Sequence, residues 1–225
     1  MELCEHIMNI YPNILRMLEA RGYTYGSLPD ITNTDHLLYK INSFVEASTL
    51  EEAHAYLDIY IHTIDLSQSD FVCYIKPSEC TNLKRFLKKI TAKAYRLNIT
   101  RIINEYGLDA SRDNITFILL DKICTDEEAE LIQLYETNYP HVRLFESRQF
   151  ISDVVSNILV PTHEKFPKAR HAALKKSLML TSFEQLPTIL HSDKMSRIHN
   201  FRSGDIVQIT RRTHCNDSIY YRLCV

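Results

Sequence analysis

Hydrophobic positions in the first half of the chain recur first at helical and then at strand spacing. Between residues 9 and 21 apolar side chains return every three or four positions, which predicts an amphipathic helix, and Gly22 marks its end. The runs 70–76 and 115–120 are continuous, apolar and rich in β-branched and aromatic residues, so each predicts a buried strand. This part of the chain is therefore predicted to contain a helix and two strands.

The segments between and after these strands predict further helices. Capping-box sequences at 48–51 and 125–128 each indicate a helix start. Residues 83–97 place apolar side chains on one helical face and lysines and arginines on the other. Because strands alternate with helices, we predict an α/β domain over residues 1–156.

The pattern changes after Leu159. A helix is predicted near 169–180, and two short β-prone runs, 206–211 and 218–223, flank Asn216-Asp217, residues that tolerate turn geometry. These runs predict a β-hairpin. We therefore expect a small α+β domain over residues 157–225.

Charge is divided unevenly between the two predicted domains. Residues 157–225 hold 11 Lys+Arg against 5 Asp+Glu, or +6, and the remainder holds 26−11=15 against 28−5=23, or −8. A basic module beside an acidic domain suits docking on an acidic surface or on nucleic acid, and it equally describes two solvated surfaces of different charge.

Composition excludes several classes of protein. Hydrophobic residues make up 45% of the chain, enough for a globular core, but no stretch of about 18 uncharged apolar residues exists, so we expect no membrane partner. The N-terminus carries Glu2 and Glu5 where a signal peptide would carry base, which predicts an intracellular protein. The six cysteines form no C-x-x-C pair, so neither a disulfide framework nor a zinc site is indicated.

No catalytic spacing stands out. H-E-x-x-H, G-x-S-x-G, P-loop and G-x-G-x-x-G patterns are missing, and four glycines leave little material for phosphate-binding loops. We expect no catalytic residue, no metal site and no cofactor. A free-standing nucleic-acid-binding protein is one alternative, with the basic face of residues 83–97 as its best support; a merely solvated face is the other interpretation of that helix.

A set of motifs in the last third of the chain carries a family resemblance. The pattern includes Leu-Val-Pro-x-His at 159–163, Leu-Pro-x-Ile at 186–189, Gly-x-Ile-Val-x-Ile-x-Arg at 204–211 and Tyr-Arg-Leu at 221–223. In this order it resembles the assembly domain of the fifth subunit shared by eukaryotic RNA polymerases I, II and III, and of its archaeal counterpart. Weaker similarity continues upstream, as in eukaryotic members, whose N-terminal domain is jaw-like.

Physical roles can be attached to several of these positions. Gly204 lies where the chain turns into a strand and glycine supplies positive φ, and Pro187 fixes the entry to an extended segment. The guanidinium groups suit carboxylate or carbonyl partners, either within the domain or on another subunit. The predicted subunit-docking residues are Pro161, His163, Pro187, Asp193, Arg197, Gly204, Arg211, Tyr221 and Arg222.

The resemblance implies a non-catalytic structural subunit of a multisubunit DNA-dependent RNA polymerase. Its C-terminal domain would dock on the largest subunit near the ω-like subunit, and its N-terminal domain would line the downstream DNA channel. Any DNA contact would be non-specific, through Lys84, Arg85, Lys88 and Lys89 rather than through the acidic residues at 126–128. Since the family's N-terminal domain resembles a nuclease-like fold, a metal-dependent nuclease is the rival enzyme hypothesis.

The chain also departs from the family pattern. Asp193-Lys194 replaces the usual Asp-Pro, Asn200 replaces a glycine and Arg212-Thr213 replaces Pro-Ser. These changes indicate a divergent member, encoded by a cell or by a large DNA virus with its own polymerase. The expected location is the nucleus in the first case, and the host cytoplasm or virion in the second.

Overall fold

A computed structural model describes residues 2–23, 34–47, 56–62, 69–75, 104, 109, 112–120, 136, 139, 141–212 and 216–225. The chain divides into two compact units, Met1–Ser152 and Asp153–Val225, where the sequence pattern placed a boundary between residues 156 and 157. The capping boxes at 48–51 and 125–128 and the predicted helix at 83–97 lie outside the described residues.

The described residues of the N-terminal unit form two helices and a four-stranded sheet. The sheet has the order β1-β2-β3-β4, with β1 antiparallel to β2 and with β2, β3 and β4 mutually parallel. Parallel neighbouring strands need a crossover connection, usually a helix, and the predicted alternation of strands and helices is consistent with this. The elements are α1 (Glu2–Ala20), α2 (Thr34–Glu46), β1 (Ile59–His62), β2 (Ser69–Ile75), β3 (Asn114–Leu119) and β4 (Val142–Glu146).

The first helix is longer than its predicted range. It begins at residue 2 rather than 9, because buried Ile7 extends the apolar face of Ile10, Ile14 and Leu18 upstream. It ends as predicted at Gly22, which has φ +97°. There the Gly22 N–H bonds to the carbonyl of residue 19 and the next N–H bonds to that of residue 18, the hydrogen-bond pair of a Schellman cap.

A buried polar group joins the end of α1 to the sheet. Arg21 Nη1 forms an ion pair with Asp70 and also donates to Thr116 Oγ1 at 3.0 Å, and that hydroxyl donates to Asp70 Oδ1 at 3.1 Å. The side chains of Arg21 and Asp70 are 1% and 0% exposed. Helix α1 is therefore fixed to both β2 and β3 by one guanidinium.

The C-terminal unit is built on a second four-stranded sheet, with the order β5-β7-β8-β6. Strand β7 pairs antiparallel with β5 and β8, which confirms the predicted hairpin, and β6 pairs parallel with β8. Asp217, assigned to the turn by the sequence pattern, instead opens β8 opposite Arg212. The elements are β5 (Thr162–Lys165), α3 (His171–Ser177), β6 (Thr188–Ile189), α4 (Lys194–Ile198), β7 (Ile206–Arg212) and β8 (Asp217–Cys224).

Both faces of this second sheet are covered near the start of β7. One face packs against α3, through a cluster of Phe166, Leu174, Leu186 and Ile206 with Tyr221 and Leu223 beside it. The other face, called the α4 face below, carries a cluster of Ile189, Phe201, Val207, Ile209 and Cys224. Mixed helices and strands around one sheet make this unit α+β, as predicted.

Candidate subunit-docking surface

Strand register brings predicted docking residues together on the α4 face. His163 on β5 lies opposite Ile209 on β7, which lies opposite Tyr220 on β8. Side chains alternate between faces, so Arg211 and Arg222 share this face with them. Beside its buried cluster, the α4 face therefore also carries His163, Arg211, Tyr220 and Arg222.

His163, on β5, lies at the buried end of the α4 face. Its side chain lies at the edge of the cluster, 8% exposed, and its Nδ1 donates to the Pro161 carbonyl at 2.7 Å, since a carbonyl oxygen only accepts. Burial lowers the pKa of His163 below its ordinary value; the bond to Pro161 and the charge of Asp193 oppose the shift, and Arg222 adds to it. His163 therefore holds the chain entering β5.

Asp193 and Arg197 belong to the short helix α4. The Asp193 carboxylate caps the helix by accepting from the Met195 N–H at 2.8 Å, and the Arg197 N–H bonds to the Asp193 carbonyl at 2.9 Å. The helix is followed by His199, whose ring stacks on Phe201 with centroids 5.3 Å apart. Asp193 therefore has a structural role at the helix start, beside His163.

The exposed end of the α4 face has the side-chain chemistry of a protein interface. Tyr220 is 52% exposed and lies between two arginines, Arg211 diagonally across on β7 and Arg222 two positions along β8. Arg222 Nη1 donates to the Thr188 carbonyl at 3.1 Å, which holds its guanidinium over the edge strand β6. Tyrosine and arginine are the residues enriched at the energetic centres of interfaces.

Three predicted docking residues lie elsewhere in the unit. The Tyr221 ring packs on the α3 face, edge-on to Phe166 at 5.3 Å between centroids. Pro187 precedes β6, and its carbonyl accepts from the Leu223 N–H at 2.9 Å, in agreement with its predicted role at a strand entry. Gly204 has φ +89° in the turn before β7, the conformation predicted for it.

Sequence reasoning missed Tyr220 as a surface residue. The predicted docking residues include Tyr221 instead, because the family motif at 221–223 contains Tyr221. Strand alternation could have separated the two tyrosines. Apolar Ile206 and Leu223 mark the α3 face, and Tyr221 lies on the same side of β8 as Leu223, so Tyr220 lies on the other side.

The predicted DNA-contacting residues, metal sites and membrane spans can be checked only in the described part of the chain. Lys84, Arg85, Lys88 and Lys89 lie outside the described residues. Within the described part of the chain, no group of three or more His, Cys, Asp or Glu side chains could hold a metal ion. None of the helices found there is long and apolar enough to cross a membrane.

Comparison with known proteins identifies the C-terminal unit. Residues 152–224 match the family model for RNA polymerase Rpb5, C-terminal domain. Over 70 residues the chain is 39% identical to the DNA-directed RNA polymerase subunit Rpo5 of Archaeoglobus fulgidus; the alignment covers 31% of this chain and 91% of that relative.

The two matches place the chain in the class of RNA polymerase subunits, and the matched residues coincide with the α+β unit that has the mixed four-stranded sheet. Within that class the chain belongs to the Rpb5 family, which confirms the resemblance found in the motifs at 159–223.

Proposed function

We propose that this chain is a non-catalytic structural subunit of a multisubunit DNA-dependent RNA polymerase, in which residues Asp153–Val225 dock on the largest subunit near the ω-like subunit. One observation carries the proposal. The family match at 152–224 coincides with a unit that has its own sheet and its own apolar clusters, and the archaeal relative consists almost wholly of that unit. Because the relative consists of little more than this unit, the function that the two proteins share is expected to reside in it.

The exposed end of the α4 face, around Tyr220, is the docking surface in this proposal. Its centre, Tyr220, is a rigid aromatic side chain with few rotatable bonds, and Arg211 and Arg222 on either side suit carboxylates of the partner. Burying Tyr220 would remove from water the aromatic ring that this unit leaves half exposed.

The N-terminal unit has a second role in the proposal. As a jaw-like domain it would lie along the downstream DNA channel, with Lys84, Arg85, Lys88 and Lys89 contacting the DNA backbone without sequence preference. The protein would act where its polymerase acts, in the nucleus for a cellular enzyme or in the host cytoplasm or virion for a viral one.

Co-purification tests the assignment. The full chain, tagged and expressed in its natural setting, is expected to bring down the two largest polymerase subunits in equal molar amounts. A free-standing nucleic-acid-binding protein would instead be recovered without them, or only until the extract is treated with nuclease. Recovery of the chain without the large subunits would contradict the proposal.

A separate experiment tests the expected lack of catalytic activity. The pure full chain with magnesium is expected neither to cleave DNA nor to extend a primer. Cleavage that survives repurification and is lost on changing one of the chain's own carboxylates would favour the nuclease hypothesis instead.

A further inference from the structure

The positive charge of the C-terminal unit is concentrated in one segment. Residues 165–183 contain five Lys and Arg and no Asp or Glu, so they contribute +5 of the +6 carried by residues 157–225. Lys165 is neutralised by Asp205, with Nζ 2.8 Å from Oδ2. The other four form the basic strip: Lys168, Arg170, Lys175 and Lys176.

The basic strip follows a short 3-10 turn, Lys168–Arg170, and the helix α3 that continues from it. Lys168, Arg170 and Lys176 are exposed and Lys175 is half-buried. Among the described residues 153–212 and 216–225, the only ion pair joins Lys165 to Asp205. In that part of the chain the four strip cations therefore have no carboxylate partner. The strip is therefore a patch of charge that is not neutralised within its own unit.

Aromatic rings under the strip hold two of the cations in place. The Arg170 guanidinium lies 5.3 Å from the centroid of Phe166, and Lys175 Nζ lies 6.0 Å from that of Phe183. The His171 ring lies between the two phenylalanines, stacked on Phe166 at 6.0 Å and edge-on to Phe183 at 5.4 Å. Cations fixed over rings lose less side-chain entropy when they bind an anion.

The dimensions and residue types of the strip fit a phosphate backbone. From Lys168 to Lys176 the chain rises about 12–16 Å at helical spacing, the length of about four nucleotides of one DNA strand. Three of the four cations are lysines, which are depleted in protein interfaces but common in phosphate contacts. Phe166 is buried beneath Arg170 and is not available for base stacking, so any contact would be independent of sequence.

We propose that the basic strip binds the sugar-phosphate backbone of nucleic acid without sequence preference. This activity is additional to docking through the α4 face and does not depend on it, because Arg170 lies over Phe166 and Leu174 of α3 packs with Phe166 in the cluster on the opposite face of the sheet. The strip would let the assembly unit, and not only the N-terminal unit, contact the nucleic acid held by the polymerase.

The test compares two double variants of the full chain that remove the same charge. K168Q/K176Q removes the two exposed strip lysines that make no ring contact, and K194Q/R212Q removes two exposed cations at the start of α4 and the end of β7. Affinity for a labelled duplex DNA of mixed sequence is measured between about 50 and 200 mM salt.

We expect K168Q/K176Q to reduce the slope of log affinity against log salt by about 1.8, which is about 0.9 for each phosphate that the variant no longer neutralises. K194Q/R212Q should change the slope by less than half of that, and K168R/K176R should keep the wild-type slope. Equal slopes for the two neutralised variants would overturn the proposal, because the effect would then be one of net charge alone.

A glutamate-rich peptide with the same charge as the duplex separates nucleic acid from an acidic protein surface. The peptide is expected to bind more weakly than DNA and with no difference between the two neutralised variants. If it binds as tightly as the duplex and loses affinity only in K168Q/K176Q, the strip recognises acidic protein and the nucleic-acid assignment is wrong. Co-purification with the polymerase is unaffected by either result.

Discussion

At the scale of single residues, the two faces of β8 place two neighbouring tyrosines in different surroundings. Tyr220 and Tyr221 are adjacent and chemically alike, yet one ring is half exposed between two arginines and the other packs edge-on to Phe166. A substitution at each position therefore has a different consequence. Tyr221 supports the unit itself, whereas Tyr220 is available to a partner.

Tyr220→Ala is expected to weaken association with the largest polymerase subunit by about 1–2 kcal/mol, since a half-exposed aromatic residue between arginines has the character of an interface anchor. The stability of the chain should change little. Affinity is measured with the purified full chain and immobilised largest subunit. Tyr39→Ala, which removes a tyrosine 62% exposed on α2, is the matched control; an equal loss in both variants would show that Tyr220 has no special role.

His163 predicts a pH dependence of stability. Its folded pKa lies below the ordinary value of about 6.5 because the ring is buried, so in the window between the two values the unfolded chain binds more protons. Stability is therefore unaffected by this group above about pH 6.5 and falls as the pH is lowered through that window. Urea unfolding of the wild type and of His163→Gln across this range measures the effect.

The groups that face His163 are Asp193, Arg222 and the ring of His199, 6.1 Å away. All three remain in the Gln variant, so the difference between the two proteins isolates the imidazole. A stability difference that does not change with pH would show that the His163 ring titrates as it does in the unfolded chain.

At the scale of elements, the buried pair of Arg21 and Asp70 connects the end of α1 to β2, and Thr116 extends the connection to β3. The helix end and the sheet are thus joined by charge as well as by apolar packing. Such a connection resists substitution of either partner, because the remaining charge would be buried without compensation.

Asp70→Asn is expected to destabilise the N-terminal unit by about 3–5 kcal/mol, because the Arg21 guanidinium stays buried after the carboxylate is gone. Denaturant unfolding measures the loss. The control is Arg148→Ala, which breaks a pair 3.9 Å long whose arginine is 58% exposed and which should cost at most about 1 kcal/mol. Similar losses in the two variants would mean that burial does not decide the strength of these pairs.

The elements also show how far the sequence could be interpreted. The strands β2, β3, β7 and β8 were predictable because continuous or alternating apolar runs have strong β-propensity. Helix α2 was missed, since its apolar positions Leu37, Ile41 and Phe44 are separated by exposed Leu38 and Tyr39, which blur the helical period. Strand β5 was also missed, because its sequence Thr-His-Glu-Lys is polar and only pairing with β7 makes it a strand.

The candidate site was predictable in part for a similar reason. Motif resemblance identified Arg211, Arg222 and His163, but their position on one face follows from the register of β5, β7 and β8. Register is set by long-range packing that no single segment encodes. Tyr220 follows from the same register. The charges of the basic strip can be counted in the sequence, but the ring contacts of Arg170 and Lys175 cannot.

At the scale of the whole molecule, the chain passes from one compact unit to the other after Ser152, and the family match covers the second of them. The acidic N-terminal unit and the basic C-terminal unit can therefore hold separate roles. Separation of this kind is testable because each unit has its own sheet.

We expect residues Asp153–Val225 alone to associate with the largest polymerase subunit and residues Met1–Ser152 alone to fail, since the proposed docking face and the family match both lie in the former. Pull-down with tagged largest subunit measures association, and circular dichroism of each fragment shows whether it is folded. Association of a folded Met1–Ser152 fragment together with failure of a folded Asp153–Val225 fragment would place the assembly role in the other unit.

Strand β8 also determines when the C-terminal unit can form during synthesis. It lies inside the sheet, pairing with β7 on one side and with β6 on the other, and it contributes Leu223 and Cys224 to the two clusters. Even the backbone of Val225 is used, because its N–H bonds to the carbonyl of Ile189 and its carbonyl accepts from the His191 N–H. A ribosome must therefore release all of β8 before β6 has a partner strand. Until then the newly made β6 and β7 expose the apolar side chains of Ile189, Ile206, Val207 and Ile209, so this unit completes its fold only after β8 has left the ribosome.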